Sequence, residues 1–231
     1  MGSLFESPLE RAIREAQERK REQQLSSLGG ALFKAILANS APRPFITRPK
    51  RKVFISYHHA DDIEVKGFIK RWADNEKVFI AKGLGLKFTN DIINSTNPEY
   101  VMRQIREKYL QDSSVTIVLI GSCTHSRRYV DWEIKSSLRQ TSLLTPPNGL
   151  LGINLPSQGG RAHLPPRFYD NWDGKPDECY ARYHSAPSST EQLRNWIEDA
   201  YKARTSRARF IKNSSDMMKK NTQCKVCNRT H

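Results

Sequence analysis

The sequence predicts an α/β fold, a doubly wound parallel sheet of the flavodoxin type, with a helical N-terminal extension and a basic C-terminal extension. Three observations predict it. Strand-like and helix-like segments alternate through the middle of the chain, as they do when helices cover both faces of a parallel sheet. The segments 52–58 (KVFISYH) and 115–121 (VTIVLIG) are apolar runs, as expected of central parallel strands. The excess charge lies outside this alternating region.

The first half of this region contains two strands and two helices. Strands are predicted at 52–58 and at 77–81 (KVFIA), and a helix between them at 61–75. Its apolar positions at helical spacing are Ile63, Phe68, Ile69 and Trp72. A second helix runs from a cap at Asn97, followed by Pro98, to about residue 110. Its predicted inward positions are Val101, Met102 and Ile105.

The second half begins with the clearest strand, 115–121, which is followed by a helix that contains Glu133. A further strand is predicted at 149–156 and a closing helix at 190–208, capped by Thr190. The polar stretch 157–189 between them is predicted to be irregular. In a doubly wound sheet, ligands bind at the carboxyl ends of the strands. The loops after the first strands and the segment leading to Glu133 therefore share the edge where a site is expected.

The positive charge is confined to the flanks. The formal net charge is +14. Residues 1–52 hold 11 Lys or Arg against 5 Asp or Glu, residues 201–231 hold 9 against 1, and residues 53–200 hold 18 of each. A neutral central domain does not favour a nucleic-acid binder. Contact of the basic flanks with RNA, an acidic partner or a membrane surface stays open.

Composition also suggests three regions and a location. Residues 1–51 are predicted as a helical extension and linker, 52–208 as the domain, and 209–231 as a basic C-terminal tail. The early apolar stretch ALFKAILA is too short to cross a bilayer. The first 25 residues mix acidic and basic side chains, unlike a secretory signal. We therefore expect a cytoplasmic protein without a membrane anchor.

The cysteines do not predict a metal site. Cys224 and Cys227 form a Cys-x-x-Cys pair, with His231 four residues further on. A structural zinc site needs four nitrogen or sulfur ligands, and only three are offered locally. The pattern favours a frayed terminal tail over a metal centre.

Two long motifs resemble one known family. KVFISYHHADD, from residue 52, resembles the first-strand box of Toll/interleukin-1 receptor (TIR) domains. SSVTIVLIGSCTHSRRYVDWEI, from residue 113, is similar to the strand, loop and helix in which NAD-cleaving TIR domains carry their glutamate. The residues of these two motifs most resemble the TIR-like branch that includes the signalling protein of the bacterial Thoeris antiphage system. The resemblance covers roughly residues 52–155.

The resemblance implies which residues form the site. Glu133 matches the family's catalytic glutamate. The residues matching the nucleotide pocket are Phe54, Ser56, Tyr57 and His58, and Trp132 is predicted to contact the nucleotide beside Glu133. NAD is expected as substrate, with no cofactor and no metal.

Cleavage of the nicotinamide–ribose bond passes through a state that resembles an oxocarbenium ion. Nicotinamide leaves as a neutral group, so a carboxylate that stabilises the positive ribose is sufficient to start the reaction. Capture of this cation by the same molecule, with water excluded, gives a cyclic ADP-ribose isomer. The resemblance implies that a separate effector protein reads this diffusible nucleotide.

Other interpretations of these residues remain open. An acid in the first turns of a helix is common because it favours the helix dipole. Ser56 and Tyr57 can simply end a strand, and Trp132 can be a core residue. Arg127 and Arg128 can bind a pyrophosphate or lie on an ordinary surface. For the whole chain, the alternatives are a TIR-like scaffold that acts by self-association and, less favoured, a nucleotide-binding regulator with basic tails.

Overall fold

A computed structural model describes residues 12, 14–24, 26, 49–82, 94–140, 145–159, 162–172, 174–175 and 178–230. The chain divides into two compact units, Met1–Arg48 and Pro49–His231. The described residues of the first unit are helical, as predicted, and the linker predicted after them lies outside the described residues. None of the described helices combines the length and apolar composition that a membrane span requires.

The larger unit is built on a five-stranded sheet in the order β2-β1-β3-β4-β5, and every pairing is parallel. The strands are β1 (Lys52–Ser56), β2 (Ile80–Lys82), β3 (Val115–Ile120), β4 (Gly149–Asn154) and β5 (Arg182–His184). This is the flavodoxin order, so the predicted fold is confirmed. β1 and β3 are adjacent and neither is an edge strand, as the two apolar runs predicted.

Five α-helices surround the sheet in the described residues. They are α1 (Asp62–Ile69), α2 (Pro98–Ile105), α3 (Arg128–Ser137), α4 (Pro166–Asp170) and α5 (Thr190–Ser206). α1 and α2 continue as π-helical turns over Lys70–Asn75 and Arg106–Leu110. Short 3-10 turns cover His59–Asp61, Thr124–Ser126, Pro156–Gln158 and Ala208–Phe210.

The helices cover both faces because successive strand residues point in opposite directions. On one face, Val53 and Ile55 of β1 pack in a cluster with Val65 of α1 and Leu193 of α5. On the other face, α2, α3 and α4 cover the sheet through two further clusters. All residues of β3 and β4 are buried, which explains why these strands read as uninterrupted apolar runs.

Some predicted details are confirmed and others are wrong. The Asn97 side chain accepts hydrogen bonds from the N–H groups of Glu99 and Tyr100, so it caps α2 as predicted. Ile63 was expected to face inward, but it is 87% exposed, and Val65 takes the core position on α1. The cap of α5 is Ser189, whose hydroxyl accepts the Gln192 N–H, and not Thr190.

Two further differences concern short elements. The second strand begins at Ile80 and not at residue 77, while Val78 and Phe79 before it are buried in the core. The stretch 157–189, predicted to be irregular, contains α4 and the edge strand β5. Both elements are too short to produce a periodic apolar signal.

The segment after α5, here called the C-terminal segment (residues 211–230), packs against α3 instead of fraying. The Trp132 indole N–H donates to Met218 O at 2.8 Å, and the Met218 N–H donates to Asp131 Oδ2 at 2.8 Å. The Lys135 ammonium donates to Ser215 O at 2.6 Å. These contacts, two of them with the buried residues Asp131 and Trp132, hold the segment in place.

Candidate functional site

The candidate site lies where β1 and β3 end side by side. Ser56 is the last residue of β1 and pairs in register with Val118 of β3. The chain that leaves β1 continues through Tyr57 and His58, and the chain that leaves β3 reaches α3 through residues 121–127. The two segments that the resemblance singled out are thus brought to one edge of the sheet.

Ser56 and Glu133 form a short hydrogen bond at this edge. The Ser56 hydroxyl donates to Glu133 Oε2 at 2.5 Å, although 77 residues separate the two. The Ser56 side chain is fully buried and Glu133 is partly buried. Loss of hydration raises the pKa of Glu133 to about 8, and the bond from Ser56 opposes this rise. Glu133 is therefore a desolvated carboxyl group and not an ordinary surface acid.

The packing of α3 fixes the direction of Glu133. Val130, Ile134 and Leu138 recur at intervals of four residues and pack in one core cluster under the helix. The first turn is capped from outside, since the Arg128 N–H donates to the Asn221 side-chain oxygen at 2.9 Å. A helix held at its start and along its apolar face presents Glu133 to the end of β1.

Tyr57 and His58 extend the same edge. The Tyr57 hydroxyl donates to Asp62 Oδ1 at 3.0 Å. Burial, together with the charges of Asp62 and Glu133, raises the pKa of Tyr57 to about 12. The His58 carbonyl accepts the Asp61 N–H at 2.8 Å and so starts the turn into α1. Tyr57 is therefore a neutral hydroxyl group within electrostatic range of Glu133.

Phe54 and Trp132 lie in the core. Phe54 is 1% exposed and Trp132 is 5% exposed, and both pack in one cluster with Val101 and Ile105 of α2. A cavity of about 790 Å³ lies between α2, α3 and the C-terminal segment, and Trp132 contributes to its wall, whereas Ser56 and Glu133 do not. Trp132 thus borders a different space from the one at the end of β1.

Arg127 is a buried cation at the same edge of the sheet. It is 6% exposed, and within the described part of the chain its Nε and Nη2 atoms have no hydrogen-bond partner. Arg128, in contrast, donates to Lys219 O and to the Tyr129 hydroxyl. An unsatisfied buried guanidinium is costly unless a ligand completes its bonds, and phosphate oxygens suit its geometry. The structure therefore distinguishes two arginines that the sequence could not.

The loops after β1 and β3 are in direct contact beside Arg127. The Thr124 hydroxyl accepts the Gly121 N–H at 2.9 Å and lies 3.4 Å from the Asp61 carboxylate. A Cβ atom at Gly121 would overlap that carboxylate, so a side chain at this position would displace Asp61. Burial raises the pKa of Asp61, and the Thr124 hydroxyl and the Arg127 charge oppose this rise. The edge thus combines two desolvated carboxyl groups with a buried cation.

A buried ion pair supports α3 and was not predicted from the sequence. Arg167 of α4 donates from Nε to Asp131 Oδ1 at 2.8 Å, and both side chains are less than 5% exposed. The remaining guanidinium hydrogens reach the C-terminal segment at Asn213, Ser215 and Asp216. No local pattern links residues 36 positions apart, so only the tertiary structure could show this pair.

A comparison of the sequence with known families finds one match. The family model described as "Thoeris protein ThsB, TIR-like domain" matches residues 54–159. The matched residues make up a little under half of the chain, and over this part the chain is similar to the TIR-like domain of the Thoeris ThsB family. The match includes the last three residues of β1 and all of β3 and α3, and so both Ser56 and Glu133. A comparison with curated proteins finds no match.

Proposed function

We propose that this protein is an NAD-consuming enzyme that cleaves the nicotinamide–ribose bond and makes an ADP-ribose-derived signal. The observation that carries the proposal is the Ser56–Glu133 hydrogen bond, which holds a desolvated carboxyl group at the carboxyl end of a central strand. Strongly perturbed carboxyl groups in such positions are candidates for catalysis. The TIR-like family of residues 54–159 supports NAD as the substrate.

Each residue at this edge has a role in the proposed reaction. Ionised Glu133 stabilises positive charge on the ribose as the bond to nicotinamide breaks. The bonding electrons leave with nicotinamide, which becomes neutral. Ser56 orients the carboxylate, and Tyr57 offers a neutral hydroxyl group near the ribose. Arg127 binds the pyrophosphate through charge-assisted hydrogen bonds.

Substrate binding itself favours the ionised form of Glu133. With a pKa of about 8 in the free protein, much of Glu133 is protonated near neutral pH. The nicotinamide ring of bound NAD carries a positive charge, and an opposite charge nearby lowers the pKa of a carboxyl group. Binding of the cationic substrate therefore favours the negatively charged form of Glu133 that catalysis needs.

The ribosyl cation has two fates. Attack by water gives ADP-ribose and releases one proton. Attack by a nitrogen of the adenine ring or by a ribose hydroxyl of the same molecule gives a cyclic isomer, also with loss of a proton where a hydroxyl attacks. The exclusion of water favours the cyclic product. A separate effector protein would read this diffusible nucleotide.

Replacement of Glu133 by glutamine tests the proposal. Glu133→Gln keeps the shape and removes the charge, so we expect a loss of at least about a hundredfold in the rate of NAD consumption. The measurement is chromatography of NAD incubated with purified protein or with lysate of infected cells that express it. Glu191→Gln, at an exposed position of α5, is the matched control and should keep the wild-type rate.

The same assay discriminates the proposal from a non-catalytic scaffold. If Glu133→Gln consumed NAD as fast as the wild-type protein, Glu133 would be a structural acid. A wild-type protein that left NAD intact in both purified form and infected lysate, while it still protected cells from phage, would likewise favour a scaffold that acts by self-association.

A further inference from the structure

Three of the four cysteines converge at one place in the larger unit. The Sγ atoms of Cys123, Cys224 and Cys227 all lie within 4.8 Å of one another. Cys123 Sγ is 3.1 Å from Cys224 Sγ and 3.6 Å from Cys227 Sγ, and all three are free thiols. Cys123 follows β3, whereas the other two belong to the C-terminal segment, about a hundred residues away. Tertiary packing therefore supplies the ligand that the local pattern lacked.

The backbone around the pair forms a tight turn. The Cys224 N–H donates to Arg229 O and the Asn228 N–H donates to Cys224 O, both at 2.9 Å. Asn228 takes a left-handed conformation, with φ of 56°, which closes the turn. The Val226 N–H points at Cys224 Sγ at 3.4 Å. Such N–H···S contacts orient a thiolate ligand and stabilise its charge.

We propose that Cys123, Cys224 and Cys227 bind a structural zinc ion as thiolates. Zinc–sulfur bonds of about 2.3 Å in a tetrahedral site place the sulfur atoms about 3.8 Å apart. The separations of 3.1 and 3.6 Å from Cys123 Sγ are somewhat shorter than this distance, so small side-chain rotations that move the sulfur atoms apart complete the site. Thiolates are soft ligands that select zinc over magnesium or calcium. Cys224 is buried and Cys227 is exposed, which leaves a path for the ion to enter.

The sequence also offers a fourth ligand. Structural zinc sites have four ligands, and His231 follows Cys227 at the spacing Cys-x-x-Cys-x-x-x-His. His231 lies outside the described residues, so this assignment rests on spacing alone.

The ion would join the C-terminal segment to the loop that leads into α3. Beside the cluster, the Thr222 N–H donates to Ser126 O and the Lys225 N–H donates to His125 Nε2, both at 3.0 Å. The same segment caps α3 through Asn221. Bound zinc therefore stabilises the contacts that hold the start of α3, the helix that contains Glu133.

Metal analysis of the full-length protein tests the site. Protein purified with a thiol reductant and without a chelator should contain about one zinc ion per chain. The serine variants of Cys123, Cys224 and Cys227 should each lose most of the zinc. Cys179→Ser is the matched control, since Cys179 is a buried free cysteine whose thiol donates to Ala181 O, and it should keep its zinc.

Two further measurements keep the test decisive if a variant folds poorly. Cobalt added to chelator-treated wild-type protein should give thiolate-to-cobalt charge-transfer absorption. Removal of zinc by a chelator should raise hydrogen exchange in residues 212–230, and zinc should restore the protection. His231→Ala should weaken zinc binding, and unchanged affinity would remove His231 from the ligand set.

Three results would overturn the proposal. One is a reduced, folded wild-type protein that neither contains zinc nor takes up zinc or cobalt. Another is zinc content that persists in all three serine variants. The third is a disulfide between Cys123 and Cys224 in freshly purified protein that fails to bind zinc after reduction.

Discussion

The Ser56 hydroxyl tunes the acid–base behaviour of the proposed catalytic group. Its bond to Glu133 is the influence that opposes desolvation, so removing it leaves the rise in pKa unopposed. Because the reaction needs ionised Glu133, kcat/KM of the wild-type enzyme should increase with pH through about 8. Ser56→Ala should move this increase to higher pH, which pH profiles of NAD consumption would measure. A profile of unchanged shape with only a lower rate would contradict this role of Ser56.

The raised pKa of Glu133 also predicts how the stability of the protein depends on pH. Its pKa is raised in the folded protein, from 4.5 to about 8, so the folded state favours the protonated form. Stability from this group is complete below pH 4.5 and is lost as the pH rises through about 8. Glu133→Gln imitates the protonated form, so the variant does not lose this stability as the pH rises.

Wild-type protein and Glu133→Gln should therefore have similar free energies of unfolding near pH 4.5. At pH 9 the wild-type protein should be less stable than the variant, by on the order of a few kcal/mol. Chemical denaturation at both pH values measures the difference. A difference that does not change with pH would show that Glu133 is solvated in the folded state.

At the scale of elements, α3 depends on the buried pair of Asp131 and Arg167. Asp131→Asn leaves a buried guanidinium without its counter-charge, which typically costs about 3–5 kcal/mol. We expect that loss in the free energy of unfolding by denaturant. Glu178→Gln is the matched control because its ion pair with Lys175 is exposed, and it should cost less than about 1 kcal/mol. Equal effects of the two substitutions would mean that the buried pair is dispensable.

The elements also show what a sequence can predict. β1, β3 and β4 were predicted because burial on both faces demands continuous apolar residues. β5 is three residues long, at an edge, and partly exposed, so its Arg-Tyr-His sequence contains no such signal. Ser56 and Glu133 were both expected at the carboxyl edge because parallel topology places them there.

Other contacts could not be predicted because they depend on side chains from distant elements. The C-terminal segment packs over α3, and Cys123 lies close to Cys224. Both contacts join parts of the chain that are about 80 to 100 residues apart. The burial of Arg127 but not of Arg128 depends on which side of one turn faces the sheet. None of these features follows from local composition or periodicity.

At the scale of the whole molecule, the two ends of the chain belong to different compact units. Residues 1–48 form a compact unit of their own, while the C-terminal segment belongs to the larger unit. The larger unit begins close to Arg51, which pairs with Glu198 of α5 at 2.7 Å and lies over the Tyr201 ring at 3.5 Å. Removal of residues 1–45 keeps these contacts, whereas removal of residues 211–231 exposes buried parts of α3 and leaves Arg167 with fewer partners.

Truncation at the N-terminus and truncation at the C-terminus should therefore have different effects on thermal unfolding. Protein lacking residues 1–45 should unfold cooperatively with a midpoint close to that of the full chain, because the removed residues belong to the other compact unit. Protein lacking residues 211–231 should have a much lower midpoint or fail to fold, because the cap of α3, the Trp132 bond and the bonds of Arg167 to residues 213–216 are lost together. Thermal unfolding followed by circular dichroism measures both. Loss of cooperativity in the N-terminal truncation would place residues 1–45 in the core, and an unchanged midpoint in the C-terminal truncation would show that the segment adds nothing to the stability of α3.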